Sequence, residues 1–248
     1  MCKRHFGTDL ELYRTPETIL LKQKFNAMSP TTAELKKQDI IDQLTWDNRV
    51  DANEVFVHVQ GGVVQLKGKV PTYASKIAAE KDVYEVEGVN KVENYLEVEI
   101  SPDFARPTDA EITRNIENKL VWNSEINSAN INVQTTRGIV SLTGTVDSYW
   151  EKKLAEDTAL YTSGVMEVIN DLSVSVTKSV VDIDIEKDIK STFKRSGLVN
   201  EDDITVNVTG GIVRLSGTLP NYAAKRQAYN IVMYTAGVVD VIDDIITA

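Results

Sequence analysis

The sequence predicts an α+β protein of three tandem α-β-β-α-β modules. Each module is a small three-stranded mixed sheet with two helices on one face. Three observations carry this. First, the stretch Val59-Gln60-Gly61-Gly62-Val63-Val64-Gln65-Leu66-Lys67-Gly68 alternates apolar and polar residues, breaks at glycine, and alternates again. That is a hairpin signature, with glycine where the turn needs positive φ. Second, the stretch recurs around Gly138 and around Gly210-Gly211. Third, further landmarks keep the same offsets of 76 and then 73 residues: Gly68, Gly144, Gly217; Tyr73, Tyr149, Tyr222; Gly88, Gly164, Gly237. A repeat held in register at this many positions marks a duplicated unit.

In chain order, residues 1–32 match nothing later and are expected to form a flexible or loosely docked arm. Pro16 and Pro30 bracket its short apolar run, and Met28 is a candidate true start. The modules follow at 33–100, 109–176 and 180–248. Each opens with a helix. Ile112, Ile116 and Leu120 fall on one face at i, i+4, i+8, as do Ile185, Ile189 and Phe193, and Ile40 with Leu44. Thr108-Asp109-Ala110-Glu111 reads as a capping box. The hairpin strands come next, with Val64, Leu66, Gly68 and Val70 sharing the inward face in the first copy. Gly68 stands where a side chain is expected, which implies a close approach of helix backbone to the sheet. A second helix begins at Tyr73, Tyr149 or Tyr222 and stops at a Gly-Val pair. It crosses over to a third, parallel strand. Modules of about 70 residues have small cores, so packing between modules is expected. The second linker, Thr177-Lys178-Ser179, is shorter than the proline-bearing 101–107, so copies two and three are expected to couple more tightly.

The 248 residues carry a net charge of -10, with 42% hydrophobic and 26% charged residues. This is an ordinary globular composition, without the basic footprint of a nucleic-acid binder. The acidity also disfavours docking on an anionic membrane. Cys2 is the sole cysteine, so no intrachain disulfide forms. No apolar run is long enough to span a bilayer, and no secretory h-region is seen. The cytoplasm is the expected compartment, or the periplasm if a signal precedes the sequence.

The repeated wording resembles the BON domain, named from bacterial osmotically inducible and nodulation proteins. The residues that carry it are Gly61-Gly62-Val63-Val64-Gln65-Leu66-Lys67-Gly68, the Gly-Val pair at Gly88, and the Val92-Glu93-Asn94-Tyr95-Leu96 strand. Copy two has Arg137 before Gly138; copy three has Asp243 and Ile245 in place of the strand Asn and Leu. Leu44-Thr45-Trp46-Asp47 and Leu120-Val121-Trp122-Asn123 resemble the helix end of a cytoplasmic triple-BON subgroup. The resemblance implies a non-enzymatic binding role linked to osmotic or envelope stress. It implies phospholipid surfaces, small ions or partner proteins as ligand classes.

The residues themselves show no catalytic set. The two histidines, His5 and His58, have no nucleophile beside them, and Cys2 with His5 is too few ligands for zinc. No cofactor and no metal site is expected. Gly61, Gly62, Gly138, Gly210 and Gly211 are followed by a strand, so they read as hairpin turns and not as a phosphate loop. Gly68, Gly88, Gly144, Gly164, Gly217 and Gly237 are likewise structural glycines. The run Asp182, Asp184, Glu186, Asp188 reads as helix-start acids more than as a cation site. Tyr73, Tyr149 and Tyr222 are expected to plug the strand-to-helix corner, with a ligand- or interface-facing role as the alternative. Trp46 and Trp122 are read mainly as caps on a small core, with interface anchoring as the alternative. Lys190, Lys194 and Arg195 make copy three the best lipid-facing candidate. Protein partners or self-association are expected, an ion or small ligand is the alternative, and nucleic acid is excluded.

Overall fold

A computed structural model of the chain describes residues 32–100, 106–175 and 181–247. The arm, and with it Met28, Cys2 and His5, lies outside the described residues, as does most of each linker. The first module comprises α1 (Thr32–Trp46), β1 (Val55–Gln60), β2 (Val63–Val70), α2 (Tyr73–Tyr84) and β3 (Lys91–Val98). The second comprises α3 (Asp109–Trp122), β4 (Ile131–Thr136), β5 (Ile139–Val146), α4 (Tyr149–Leu160) and β6 (Glu167–Val174). The third comprises α5 (Asp182–Arg195), β7 (Ile204–Thr209), β8 (Ile212–Leu219), α6 (Tyr222–Met233) and β9 (Asp240–Thr247). Every sheet has the middle strand antiparallel to the first and parallel to the third, as the pattern predicted.

Local signals explain the element ends. Thr72, Ser148 and Asn221 cap the second helices, each side chain accepting the N–H of the residue three positions on. The capping box at Thr108 and Glu111 is complete. The hairpins turn through two successive residues of positive φ: Gly61 and Gly62, Arg137 and Gly138, Gly210 and Gly211. Arg137 is the one non-glycine residue of positive φ among those described. Its strained turn is clasped from outside: the Asp109 carboxylate accepts the N–H of Arg137 at 2.7 Å and of Gly138 at 2.9 Å. Asp182 makes the same clasp on Gly210 and Gly211, at 2.8 and 2.9 Å. Module one has Ala33 at that place. Asp109 and Asp182 therefore serve as tethers between helix start and hairpin.

The inward glycines have a different cause from the one the sequence suggested. A Cβ on Gly68, Gly144 or Gly217 would overlap the carbonyl oxygen of Glu54, Asn130 or Asp203. Each of those carbonyls ends a short 3-10 turn that leads into the first strand of the hairpin. The close approach is thus to the neighbouring strand's entry turn and not to a crossing helix. That turn was not expected, although Asp51, Asn127 and Asn200 cap it in all three copies.

Each module buries its own core on the helix-covered face of its sheet. In the first it holds Ile40, Leu44, Val64, Leu66, Val83 and Leu96; in the second Ile112, Ile116, Leu142 and Leu172; in the third Ile189, Phe193, Leu215 and Val232. The helical faces predicted from the i, i+4 spacing are the buried ones.

The modules then join through one repeated contact. Tyr73 of module one packs against the core of module two. Tyr149 of module two is buried in the core of module three. Tyr222 of module three stacks on Tyr84 of module one, with ring centroids 5.4 Å apart. The same position thus reaches from one to two, from two to three, and from three back to one. The strand ends repeat the pattern: Val174 packs on module three, and the Thr247 hydroxyl donates to the Val89 carbonyl of module one at 3.0 Å. The chain closes into a ring with approximate three-fold repetition. Of the three seam tyrosines Tyr149 is the most buried, at 6% exposed, while Tyr73 and Tyr222 are half-buried.

Candidate functional site

The seams between modules are where the landmark tyrosines go, so they are built first. Each tyrosine opens a second helix and leans away from its own module. Tyr149 Oη and Tyr229 Oη share a hydrogen bond at 2.8 Å across the seam. Burial first, and then Tyr229, pushes the Tyr149 phenol well above its usual range, so it stays a neutral donor or acceptor. Burial likewise raises Tyr73, against a hydrogen bond from the backbone of Val168 in module two, and raises Tyr222. Trp150 adds a tilted contact on Tyr234, 4.7 Å between centroids. Arg226 reaches Glu85 at 3.5 Å across the third seam. The expected corner plug is therefore a joint between modules: the ring does not sit under its own sheet but in the next one's.

The tryptophans fall on the opposite side of expectation. Trp46 is 80% exposed and Trp122 is 86% exposed, so neither caps a core. The reason is helical phase. Leu44 and Leu120 take the last inward position of α1 and α3, and two residues further the helix has turned about 200°. Val121 beside Trp122 is also exposed. The corresponding position in module three is Arg195, whose guanidinium bonds the Thr192 hydroxyl at 3.0 Å. Trp46, Trp122 and Arg195 therefore recur once per module, at the same end of the first helix.

The basic candidates of module three are already engaged. Lys190 pairs with Glu186 at 2.5 Å and Lys194 with Glu201 at 3.3 Å. The acids of α5 gather no metal-ligand cluster, nor does any other group among the described residues. His58 is exposed on the outer face of β1. On that outer face Phe56, Lys67 and Tyr95 stand in one row across the three strands, Phe56 opposite Lys67 and Lys67 opposite Tyr95. The Lys67 ammonium lies 6.0 Å from the Tyr95 ring centre. The second helices end at Tyr84, Leu160 and Met233, four residues before the Gly-Val pairs, so those glycines do not stop the helix; Gly88, Gly164 and Gly237 lie in the turn that follows, beside Gly62, Gly138 and Gly211 of the hairpins. A Cβ on Gly138 or Gly211 would press on the carbonyl of Gly164 or Gly237, and one on Gly62 would meet the Asn90 side chain first.

One set of side chains was missed from the sequence altogether. In module one, Asp82 of α2 and Asp47 at the end of α1 are both buried, at 6% and 8% exposure. Arg49 Nε donates to both Asp47 oxygens, at 3.0 and 2.9 Å. Asp82 falls at an inward helical phase, with nothing in its local sequence to mark it. No described helix is long and apolar enough to cross a membrane.

Comparison with known proteins agrees with this architecture. The BON domain family model matches residues 35–100, 108–175 and 182–248. The chain is 29% identical to osmotically-inducible protein Y of Escherichia coli (strain K12) over 165 residues, 64% of this chain and 77% of that protein. It is 33% identical over 119 residues to an uncharacterized protein from the gshII 5′ region of Anaplasma centrale, 46% of this chain and 79% of that protein. Among solved structures, CdsD, a structural protein of the type III secretion system of Chlamydia trachomatis, aligns over 85% of this chain and 91% of its own, with a TM-score of 0.24 and 16% identity. Three matched segments cover most of the sequence, and the chain is a member of the BON domain family.

Proposed function

We propose that this chain is a non-enzymatic binding protein of the osmotic or envelope stress response, and that it engages a protein partner through the exposed Trp46 and Trp122. The observation that carries this reading is the exposure of both tryptophans, 80% and 86%, at the same place in two modules. Tryptophan buries a large area and is enriched where interfaces take most of their energy. Two copies on one chain give a two-point contact whose second engagement is intramolecular. The relatedness to an osmotically inducible protein supports the stress setting. The ion pairs that occupy Lys190 and Lys194 speak for a protein partner over an anionic lipid surface at module three.

The test compares the native chain with a Trp46→Ala, Trp122→Ala double variant. Pull-down after in-cell cross-linking under osmotic stress should retain a discrete partner with the native chain only. Size-exclusion with light scattering reports self-association in the same samples. Equal capture by both proteins, with neither self-associating, would remove this reading. Liposome flotation with anionic lipid separates the membrane alternative, and a thermal-shift series with K⁺, Ca²⁺ and Mg²⁺ separates the ion alternative.

A further inference from the structure

The acid pair of module one is a site that the binding role does not use. Two buried carboxyl groups face each other there with one guanidinium between them. Asp47 takes nearly all of it. It accepts both Arg49 Nε contacts and the Arg49 backbone N–H at 2.8 Å. Asp82 is left with the far side of the same guanidinium, 4.0 Å from Oδ1. Its other oxygen, Oδ2, is buried and has no hydrogen-bond partner among the described residues. The Asp82 side chain is 8% exposed. A carboxylate buried without a donor is strongly disfavoured, and such a group takes up a proton instead.

We propose that Asp82 and Asp47 form a single-proton binding site, whose occupancy sets how firmly the end of α1 is held against α2. The proton resides on Asp82, whose O–H then donates toward Asp47, and Asp47 stays ionised under Arg49. The electrostatics agree in direction. The Arg49 hydrogen bond holds Asp47 down to about 2. Burial first, and Asp47 second, pushes Asp82 up to about 7. The charged groups that face Asp82 are Asp47 and Arg49 from the end of α1, and Glu85 from its own helix. Of these only Arg49 opposes the shift.

The sign follows from linkage. Asp82 has a folded-state value above its ordinary 3.8, so the stability it contributes is fully present below about 4. That contribution is lost as pH rises through about 7. Asp47 runs the other way, and its contribution is lost only as pH falls from about 4 toward 2. Module one is therefore tightest in mildly acidic solution and loosens across neutrality. Neither other module has the device. Thr158 and Ile231 stand at the place of Asp82, and Asn123 and Ser196 at the place of Asp47. The site also sits beside two seams. Glu85, one turn from Asp82, reaches Arg226 of module three, and Arg49 feels Tyr161 of module two.

Carbon-13 NMR titration of the side-chain carboxyls in the full chain tests the site directly. Asp82 is expected to titrate near neutrality, about three pH units above an ordinary aspartate, in buffer free of metal ions. Hydrogen exchange, corrected for intrinsic rates, should show the amides of α1 and α2 opening more readily at pH 8 than at pH 5.5, with α3 and α5 unchanged. Asp82→Asn should abolish that difference. An Asp82 midpoint near 4 overturns the proposal. So does a midpoint that moves when K⁺ replaces an organic cation at constant ionic strength, since a metal cation would then occupy the pair. If Asp82→Asn does not fold, the titration of the native chain still decides.

Discussion

Modules one and two differ from module three at the crossing of second helix and last strand, and the difference shows what the fold demands there. In modules one and two the crossing is an Asn–Glu pair. Asn94 Nδ2 donates to the Lys76 carbonyl at 2.9 Å and to Glu80 at 3.1 Å; Asn170 does the same to Lys152 and Glu156, at the same distances. In module three the strand residue is Asp243, which has no N–H to give. Lys225 turns in to meet it at 3.3 Å and also donates to the Ile245 carbonyl at 2.6 Å. The helix residue has changed in step: Tyr229 replaces the glutamate. Had Glu stayed, two carboxylates would share one half-buried crossing. The change also frees position 229 to bond Tyr149, the most buried of the three seam tyrosines. One feature is common to all three. The Oδ1 atoms of Asn94, Asn170 and Asp243 accept the N–H two residues on, at 3.1, 3.3 and 3.0 Å. The strand needs an acceptor at this point; where the negative charge sits is negotiable.

The comparison is best attacked where it claims sameness. Gly68, Gly144 and Gly217 hold positive φ against a backbone carbonyl that cannot move without breaking the hairpin. Valine at any one of them should cost about 3 kcal/mol or more and unfold the module concerned, by urea titration with hydrogen exchange to identify it. A mild effect in one copy alone would show that the entry turns are not equivalent.

The seams come next. Tyr149→Ala removes a buried aromatic and should cost about 3 to 5 kcal/mol. The same change at the half-buried Tyr73 or Tyr222 should cost less. Tyr149→Phe leaves the ring and loses only the hydroxyl pair, about 1 kcal/mol. Equal losses at all three tyrosines would contradict the graded seams. Asp243→Asn restores the wording of the other modules but removes the carboxylate opposite Lys225, leaving it the Ile245 carbonyl, while Tyr229 remains. A loss of about 1 to 2 kcal/mol is expected, read from the urea midpoint. Trp46→Ala and Trp122→Ala should fall within about 0.5 kcal/mol of the native chain, as exposed residues do, while any partner is lost.

Much of a single module was legible before any coordinates. The inward faces of α1, α3 and α5, the hairpin turns and the crossover all follow from period and glycine placement, which are properties of short stretches. The site residues were harder. The tyrosines were visible as landmarks but not as joints, because nothing local says which sheet a ring at a strand-to-helix corner will enter. The tryptophans were misjudged because size suggests burial, whereas their helical phase, two residues past Leu44 and Leu120, points them outward. Asp82 gave no signal because a lone acid at an inward phase is indistinguishable from a frayed surface position until Asp47 is seen beside it.

Alternation, helical spacing and positive-φ glycines act over a few residues, so the sequence alone determined three copies of one small α+β unit. Closure of those copies into a ring was decided by the tertiary structure. Tyr222 finds Tyr84, and Thr247 finds Val89, across 138 and 158 residues of chain. Contacts between such distant positions leave no periodic trace. They form only once each module has buried its own core and the remaining half-exposed aromatics have another surface to cover.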